Sequence, residues 1–421
     1  MLRSDSAGDP ARTFRALAAM DLFARTGYQM GKSPVLPMFA VAVGAGEAEL
    51  GLAASASVMT GMFLKPWIGA ASDRYGRRPL LILGSLLFAL VPIAYLLIQN
   101  VWQLVGLRVV HGLSTALYGP VMAALIADLY RDRRQGCRRY GLYDTFRSVG
   151  YVTGPFLGGL ALSWFSDPRH IYLVVGGFGL AALAPAFLVG RGGAGSRTAT
   201  DGDGQAREPL SKALKHFVGA VARDSGLRRV IGLELTGNLL TRWAKVFWVI
   251  HVAGHFGEVF IGAVISLIFG ASIACKSLAG WLGGRFGPVP VLTAGAVLTA
   301  TGMTGLFLTT HPAGAVAFAL LAGIGDGLIM PGVLALVAYG AAEGHRGAAL
   351  GVLGSCRNVG KAMGPLLGGL LVAAVGTVPT VLCGAGALVF LAIRLWGGSV
   401  EWEGDLRARE RARRLRGFTR Q

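Results

Sequence analysis

A twenty-residue segment of this chain recurs with half of its positions unchanged. From Gly141 to Leu160 and again from Gly351 to Leu370, ten of the twenty positions are identical at a constant spacing of 210 residues, Arg147 with Arg357 and Val149 with Val359 among them. The shared core is GxxxGPxxGG, written as GYVTGPFLGG from Gly150 to Gly159 and as GKAMGPLLGG from Gly360 to Gly369. Glycines four residues apart flatten one face of a helix for close contact, and the proline removes a backbone donor and bends it. A repeat at half the chain length therefore requires a fold made of two copies of one helical unit.

The surroundings of that fold are a bilayer. Of 421 residues, 53% are apolar and 15% charged, whereas a soluble domain carries about a quarter charged residues. Apolar stretches of about 20 residues, each able to cross about 30 Å of hydrocarbon as a helix, recur at 16–43, 51–71, 79–98, 102–127, 140–164, 170–190, 230–253, 258–282, 288–309, 313–339, 348–375 and 378–396. The expected class is an all-α integral membrane protein with 12 transmembrane helices in two pseudo-symmetric six-helix bundles. An N-terminal bundle covers 1–190, a cytoplasmic linker 191–229, a C-terminal bundle 230–396 and a basic cytoplasmic tail 397–421.

A net charge of +18 would fit a nucleic-acid partner if the cations were clustered without regard to topology. They fall instead on alternate loops. Arg3, Arg12 and Arg15 precede the first span, Arg74, Arg77 and Arg78 follow the second, and Arg131, Arg133, Arg134, Arg138 and Arg139 follow the fourth. The central linker, Arg285, Arg346 and the tail continue the set, and the opposite loops hold little beyond Glu47, Glu49, Asp167, Arg169 and Glu258. Positive loops stay inside, so both termini are cytoplasmic, the location is the cell membrane, and no nucleic acid is bound. The polar start from Met1 to Thr13 and the charges at Asp21, Arg25 and Lys32 argue against a cleaved leader. Cys137, Cys275, Cys356 and Cys383 form no CxxC, so neither a disulfide framework nor a metal site is expected. Within the linker, Leu210, Leu214, Phe217, Val218 and Val221 recur at helical spacing beside Lys212 and Lys215, as in an interfacial amphipathic helix that, with the arginines of the tail, would rest on anionic headgroups.

After the second span come Gly69-Ala70-Ala71-Ser72-Asp73-Arg74-Tyr75-Gly76-Arg77-Arg78, and Gly280 to Gly287 is a degenerate copy displaced by 211 with Gly284 in place of the acid. Glycine permits a tight helix connection, and the charges can pair or cap helix ends. The segment resembles GxxxDRxGRR of the major facilitator superfamily, and the resemblance covers essentially the whole chain. Arg108-Val109-Val110-His111-Gly112 resembles that family's RxxQG with His in place of Gln, where the arginine is thought to assist proton transfer. His111 adds an imidazole, whose ordinary range lies near neutrality, or else a satisfied packing histidine. Gly150, Gly154, Pro155 and Gly158, repeated as Gly364 and Pro365, look like the antiporter motif of drug and proton exchangers, and Pro34-Val35-Leu36-Pro37 resembles their PVxP element. Asp73 and Arg77 with Asp128 resemble the family's cytoplasmic charge relay, which would latch an outward-open form.

Two polar stripes point to a central cavity. Asp21, Arg25, Gln29 and Lys32 stand at i, i+4, i+8 and i+11 on the first span, and Glu234, Asn238, Arg242 and Lys245 repeat those intervals on the seventh. Facing lipid, four such residues would cost several kcal/mol. Lys65 and Lys276, each four residues before a loop glycine, form another matched pair. Asp144, Arg147, Arg357 and Lys361 lie on the duplicated helices, and Asp326 within Gly325-Asp326-Gly327 reads as the deepest acid of the second half. Asp21 with Arg25 and Asp144 with Arg147 can pair along their own helices. Cations still outnumber acids, which favours an anionic or zwitterionic ligand.

By resemblance, the chain is expected to be a monomeric secondary transporter of the drug and proton antiporter type, needing no cofactor. It would export a small amphipathic organic molecule by alternating access in exchange for protons. A proton-coupled importer of an organic anion and a lipid or lysolipid flippase are the alternatives within the fold, and a non-transporting receptor would not need matched titratable stripes. Seven scattered histidines and no nucleophile or metal constellation argue against an enzyme.

Overall fold

The computed structural model describes residues 10–130, 132–187, 189, 225–340 and 346–398. Among them the chain is helical, apart from a single bridge between Ala253 and Phe256. The helices are α1 (Pro10–Lys32), α2 (Val35–Ala42), α3 (Glu47–Tyr75), α4 (Arg77–Ala94), α5 (Val101–Leu129), α6 (Arg133–Trp164), α7 (Pro168–Ala186), α8 (Ser225–His251), α9 (Glu258–Phe286), α10 (Pro288–Leu308), α11 (Pro312–Gly340), α12 (Arg346–Val375) and α13 (Thr377–Gly397). The linker helix expected near Leu210 and the arginine tail lie outside the described residues.

Two differences from the expected spans have physical reasons. The stretch 16–43 is divided into α1 and α2 at Ser33-Pro34, because Pro34 has no backbone N–H to donate and restrains the residue before it. Among the described helices, eight are long and apolar enough to cross a membrane by length and composition, and α1, α3, α6 and α8 are not among them. Those four carry the stripe residues, Lys65 or the arginines around Asp144, and the polar face that makes them useful lowers their hydropathy.

The repeat is visible in backbone geometry. The α3–α4 connection turns on Gly76 at φ 88° and ψ 155°, and the α9–α10 connection turns on Gly287 at φ 91° and ψ 156°. Only glycine adopts that conformation without strain, so the two copies of the loop motif share one turn although the acid is present in one alone.

The described residues fall into two compact units, one drawn from 1–204, 243–269 and 362–377 and the other from 205–242, 270–361 and 378–421. In the first, Leu17 and Met20 of α1, Phe88 of α4, Tyr118 and Met122 of α5 and Ala182 of α7 form a common core. Helices in lipid associate mainly through close packing, and small residues supply it. A methyl placed on Gly112 of α5 would come within 2.6 Å of the Ser57 carbonyl oxygen of α3. In the second unit α10 lies along α11, where a methyl on Gly295 would come within 2.9 Å of the Gly325 carbonyl.

The duplicated motif packs on two sides. Gly150, Gly154 and Gly158 of α6 lie against residues 25–34, with a methyl on Gly154 reaching 2.6 Å from Gln29 Cβ and 2.9 Å from the Thr26 carbonyl. Gly159 instead faces α9, 3.0 Å from Gly262 Cα, and its repeat mate Gly369 faces α3, 3.1 Å from Gly51 Cα, as measured from an added methyl. All of these contacts lie within the first unit.

Candidate functional site

The glycine face of α6 brings its polar residues against the stripe of α1. Asp21, Arg25 and Gln29 are buried, at 1%, 8% and 4% exposure. Arg25 Nη2 donates to Asp21 Oδ1 at 3.4 Å, and Arg147 Nε lies 3.9 Å from Asp21 Oδ2. Arg147 is also 3.9 Å from Asp144, which is half exposed. One buried carboxylate is thus shared by two guanidinium groups. Both guanidiniums lie over Tyr151 of α6, at 5.3 Å for Arg25 and 5.9 Å for Arg147 from the ring centroid.

The same unit continues this cluster. The Tyr151 ring lies 5.9 Å from Phe269 of α9, and Lys245 Nζ of α8 sits 4.4 Å above the Phe269 ring. Lys32 lies 5.7 Å over Tyr28, and half-buried Lys65 is within electrostatic range of Tyr151, Arg25 and Arg147. A cation over an aromatic face gains about 0.5–2 kcal/mol, the higher end where water is excluded.

Beneath the stripe is a buried polar network. Arg108 of α5, 1% exposed, donates from Nε to the Ala53 carbonyl at 3.2 Å and from Nη2 to Ser57 Oγ at 2.8 Å. Among the described residues it has no carboxylate partner, so its charge rests on neutral oxygens and surrounding rings. Ser57 Oγ also meets Tyr28 Oη at 3.2 Å. His111 Nδ1 is 3.1 Å from Tyr95 Oη, while its Nε2 makes no hydrogen bond among the described residues. Tyr95 stacks on Tyr172, whose hydroxyl donates to the Gly31 carbonyl. The hydroxyl network and its ring neighbours are the part that the sequence motif did not reveal.

In the second unit, Glu234 of α8 is 3% exposed and accepts from Arg357 Nε of α12 at 2.6 Å and from Asn238 Nδ2 at 3.0 Å. A methyl on Gly360 would lie 2.9 Å from Asn238 Cβ, so the glycine face of α12 sets this approach as that of α6 does on α1. Asp326 is half-buried and accepts from Ser272 Oγ at 2.8 Å. It is not the deepest acid of this half. Glu234, against α12 and 3% exposed, is the more buried. Arg242 and Lys361 are half-buried and Lys276 is exposed.

The two halves therefore hold the same cross-helix pair: Asp21 with Arg147, and Glu234 with Arg357. The sequence carried the signal, since both arginines are identical positions of the repeat and both acids head the matched stripes. At the loop motif, Arg77 pairs with Asp128. Arg74 lies over its neighbour Tyr75, Gly69 is half-buried, and Gly364 and Pro365 are buried. The side chain of Asp73 lies outside the described residues. No group of three or more metal-ligating side chains occurs among them.

The sequence profile described as the Major Facilitator Superfamily matches residues 20–243 and 235–415. This chain belongs to the major facilitator superfamily. It is accordingly a multi-pass membrane transporter and not an enzyme. The superfamily member is 25% identical over 378 residues to the multidrug resistance protein MdtG of Salmonella arizonae, covering 86% of this chain and 89% of that one. It is similarly 25% identical to MdtG of Citrobacter koseri, with the same coverage. Its fold matches a bacterial homologue of the human lysosomal transporter Spinster in an inward-facing, occupied conformation, with TM-score 0.71, 15% identity and 93% and 96% of the two chains covered. It also matches the nucleoside transporter NupG, with TM-score 0.69, 13% identity and 91% and 99% covered.

Proposed function

We propose that this protein exports a small amphipathic organic anion or zwitterion across the cytoplasmic membrane by alternating access, in exchange for protons. The topology is twelve transmembrane helices with both termini cytoplasmic, the two bundles spanning 1–190 and 230–396 and working as a monomer. The linker 191–229 and the tail 397–421 rest on the inner membrane surface. The similarity to MdtG, a multidrug resistance protein by name, supports export.

The observation that carries the reading is the doubled buried pair, Asp21 with Arg147 and Glu234 with Arg357. A carboxylate held by a guanidinium in one state and separated from it in another binds a proton only in the second, which links protonation to conformation. Glu234 suits this role because its pair with Arg357 joins α12 to α8 and is released on protonation. Asp21 keeps Arg25 as its nearer partner, at 3.4 Å, with Arg147 at 3.9 Å. The Gly159–Gly262 and Gly369–Gly51 crossings, at the Glu258 and Glu47 ends of their helices, support a state closed on the outer side. Opening that side separates the glycine faces, while Arg77 with Asp128 holds the cytoplasmic end.

The test is substrate-dependent proton movement in proteoliposomes carrying a pH-sensitive dye inside. An exporter coupled by exchange moves protons opposite to a carboxylate or phosphonate substrate. Movement in the same direction would instead make the protein an importer.

A further inference from the structure

We infer that the turn between α9 and α10 holds an anionic phospholipid, with its phosphate on Arg285 and its glycerol and upper acyl chains against Trp281 and Phe286. The site shares no residue with the paired acids and arginines above.

Position comes first. The 29 residues of α9 rise about 43 Å at about 1.5 Å each, more than a hydrocarbon core of about 30 Å, so the ends of this helix reach the headgroup layers. Leu278, Trp281 and Arg285, at i, i+3 and i+7, share one face of it, and Lys276 lies on the opposite face. The repeat shows what these faces meet. On α3, Lys65 is the mate of Lys276, half-buried and within electrostatic range of Tyr151, Arg25 and Arg147. Phe63, Trp67 and Arg74 stand on the other side of α3 from Lys65, and all three are exposed. The stripe that ends in Arg285, like the one that ends in Arg74, therefore turns away from the polar side of its helix and toward lipid.

Chemistry comes second. Trp281 and Phe286 are 59% and 58% exposed, and the Arg285 guanidinium lies over both rings, 5.6 and 5.5 Å from their centroids. Arg285 is itself exposed and makes no hydrogen bond or ion pair among the described residues. A guanidinium whose flat face rests on a ring keeps the N–H groups in its plane for an oxygen acceptor, and phosphate fits that fork. Methyls added at Gly280 and Gly284 meet nothing within 4 Å, so the surface beside Trp281 and Arg285 is open among the described residues. Tryptophan favours the boundary between acyl chains and headgroups, where such a phosphate lies.

Charge comes third, and it sets the second half apart from the first. Arg74 also lies over an exposed ring, that of Tyr75 at 5.5 Å, but Asp73 precedes it in the chain, whereas Gly284 precedes Arg285. A neighbouring acid opposes a further negative charge, and glycine leaves the field of Arg285 undiminished. A zwitterionic headgroup would bring its own ammonium to this cationic corner. An anionic one, such as phosphatidylglycerol, matches it.

The experiment places the full-length protein in phosphatidylcholine nanodiscs that carry a minor fraction of either phosphatidylglycerol or phosphatidylcholine with brominated chains, which quench the tryptophans they touch. The Trp281 signal is the difference between the native protein and Trp281→Phe, and it separates this site from the arginine-rich tail and the other tryptophans. At Trp281 phosphatidylglycerol should associate about fivefold more strongly than phosphatidylcholine, and Arg285→Gln should bring the two lipids within about twofold. Arg74→Gln should leave the preference at Trp281 unchanged. Equal quenching by the two lipids in the native protein, or a preference that survives Arg285→Gln, would overturn the inference. Soluble glycerol phosphate at constant ionic strength should not relieve the quenching by phosphatidylglycerol. Relief would make the ligand a free phosphate rather than a membrane lipid, and would overturn the inference as well.

Discussion

Arg357 Nε and Glu234 Oε1 lie 2.6 Å apart between α12 and α8, in a contact that leaves the carboxylate 3% exposed. Removing one partner of such a pair strands a buried charge, which costs about 3–5 kcal/mol. Arg357→Ala should therefore lower the thermal unfolding midpoint substantially, whereas Arg357→Ala combined with Glu234→Gln should recover much of the loss. Thermal unfolding of the four proteins of that cycle measures it, and additive losses would show that the pair is not coupled.

The glycine face of α6 makes a sterically specific prediction. At Gly154 an added methyl already lies 2.6 Å from Gln29 Cβ, so Gly154→Leu must push α1 from α6 and separate Arg147 from Asp21. Transport should be lost and the unfolding midpoint should fall. Gly177→Ala on α7, where an added methyl meets nothing within 4 Å, should be neutral or stabilising by up to about 1 kcal/mol from helix propensity.

The buried hydroxyl network separates two tyrosines that look alike in sequence. Tyr95→Phe leaves His111 with neither ring nitrogen hydrogen-bonded among the described residues, and should cost about 1–3 kcal/mol. Tyr118→Phe should cost less, because Ser85 Oγ retains the Leu81 carbonyl at 2.9 Å. The difference between the two midpoints checks the assignment, and a larger fall for Tyr118→Phe would refute it.

Much of this architecture could be read from residue order, for reasons specific to lipid. Apolar length fixes a span, and glycines at every fourth position fix a contact face, so the duplicated segment by itself specifies close packing. The break at Ser33-Pro34 was hidden because apolar residues continue through it. Pairing along one helix, as in Asp21 with Arg25, follows from spacing alone. Pairing between helices depends on which faces meet, so Asp21 with Arg147 was masked by the nearer choice of Asp144. Relative depth also escaped: Asp326 sits between glycines that pack closely on Thr299 and Ser272 and yet is only half-buried, whereas Glu234 is 3% exposed. The contacts of Phe269 with Tyr151 and Lys245 join α6 to the consecutive helices α8 and α9, and no local pattern announces them.

The most direct test of proton exchange at the doubled pair is Glu234→Gln in proteoliposomes, assayed with the organic anion that the native protein moves. A glutamine keeps the side-chain shape and a hydrogen-bond acceptor for Arg357 but cannot cycle a proton. The variant should still exchange labelled for unlabelled substrate across the membrane, and should lose accumulation driven by a pH gradient. Gradient-driven accumulation equal to that of the native protein would contradict the account, because the proton would then be carried elsewhere.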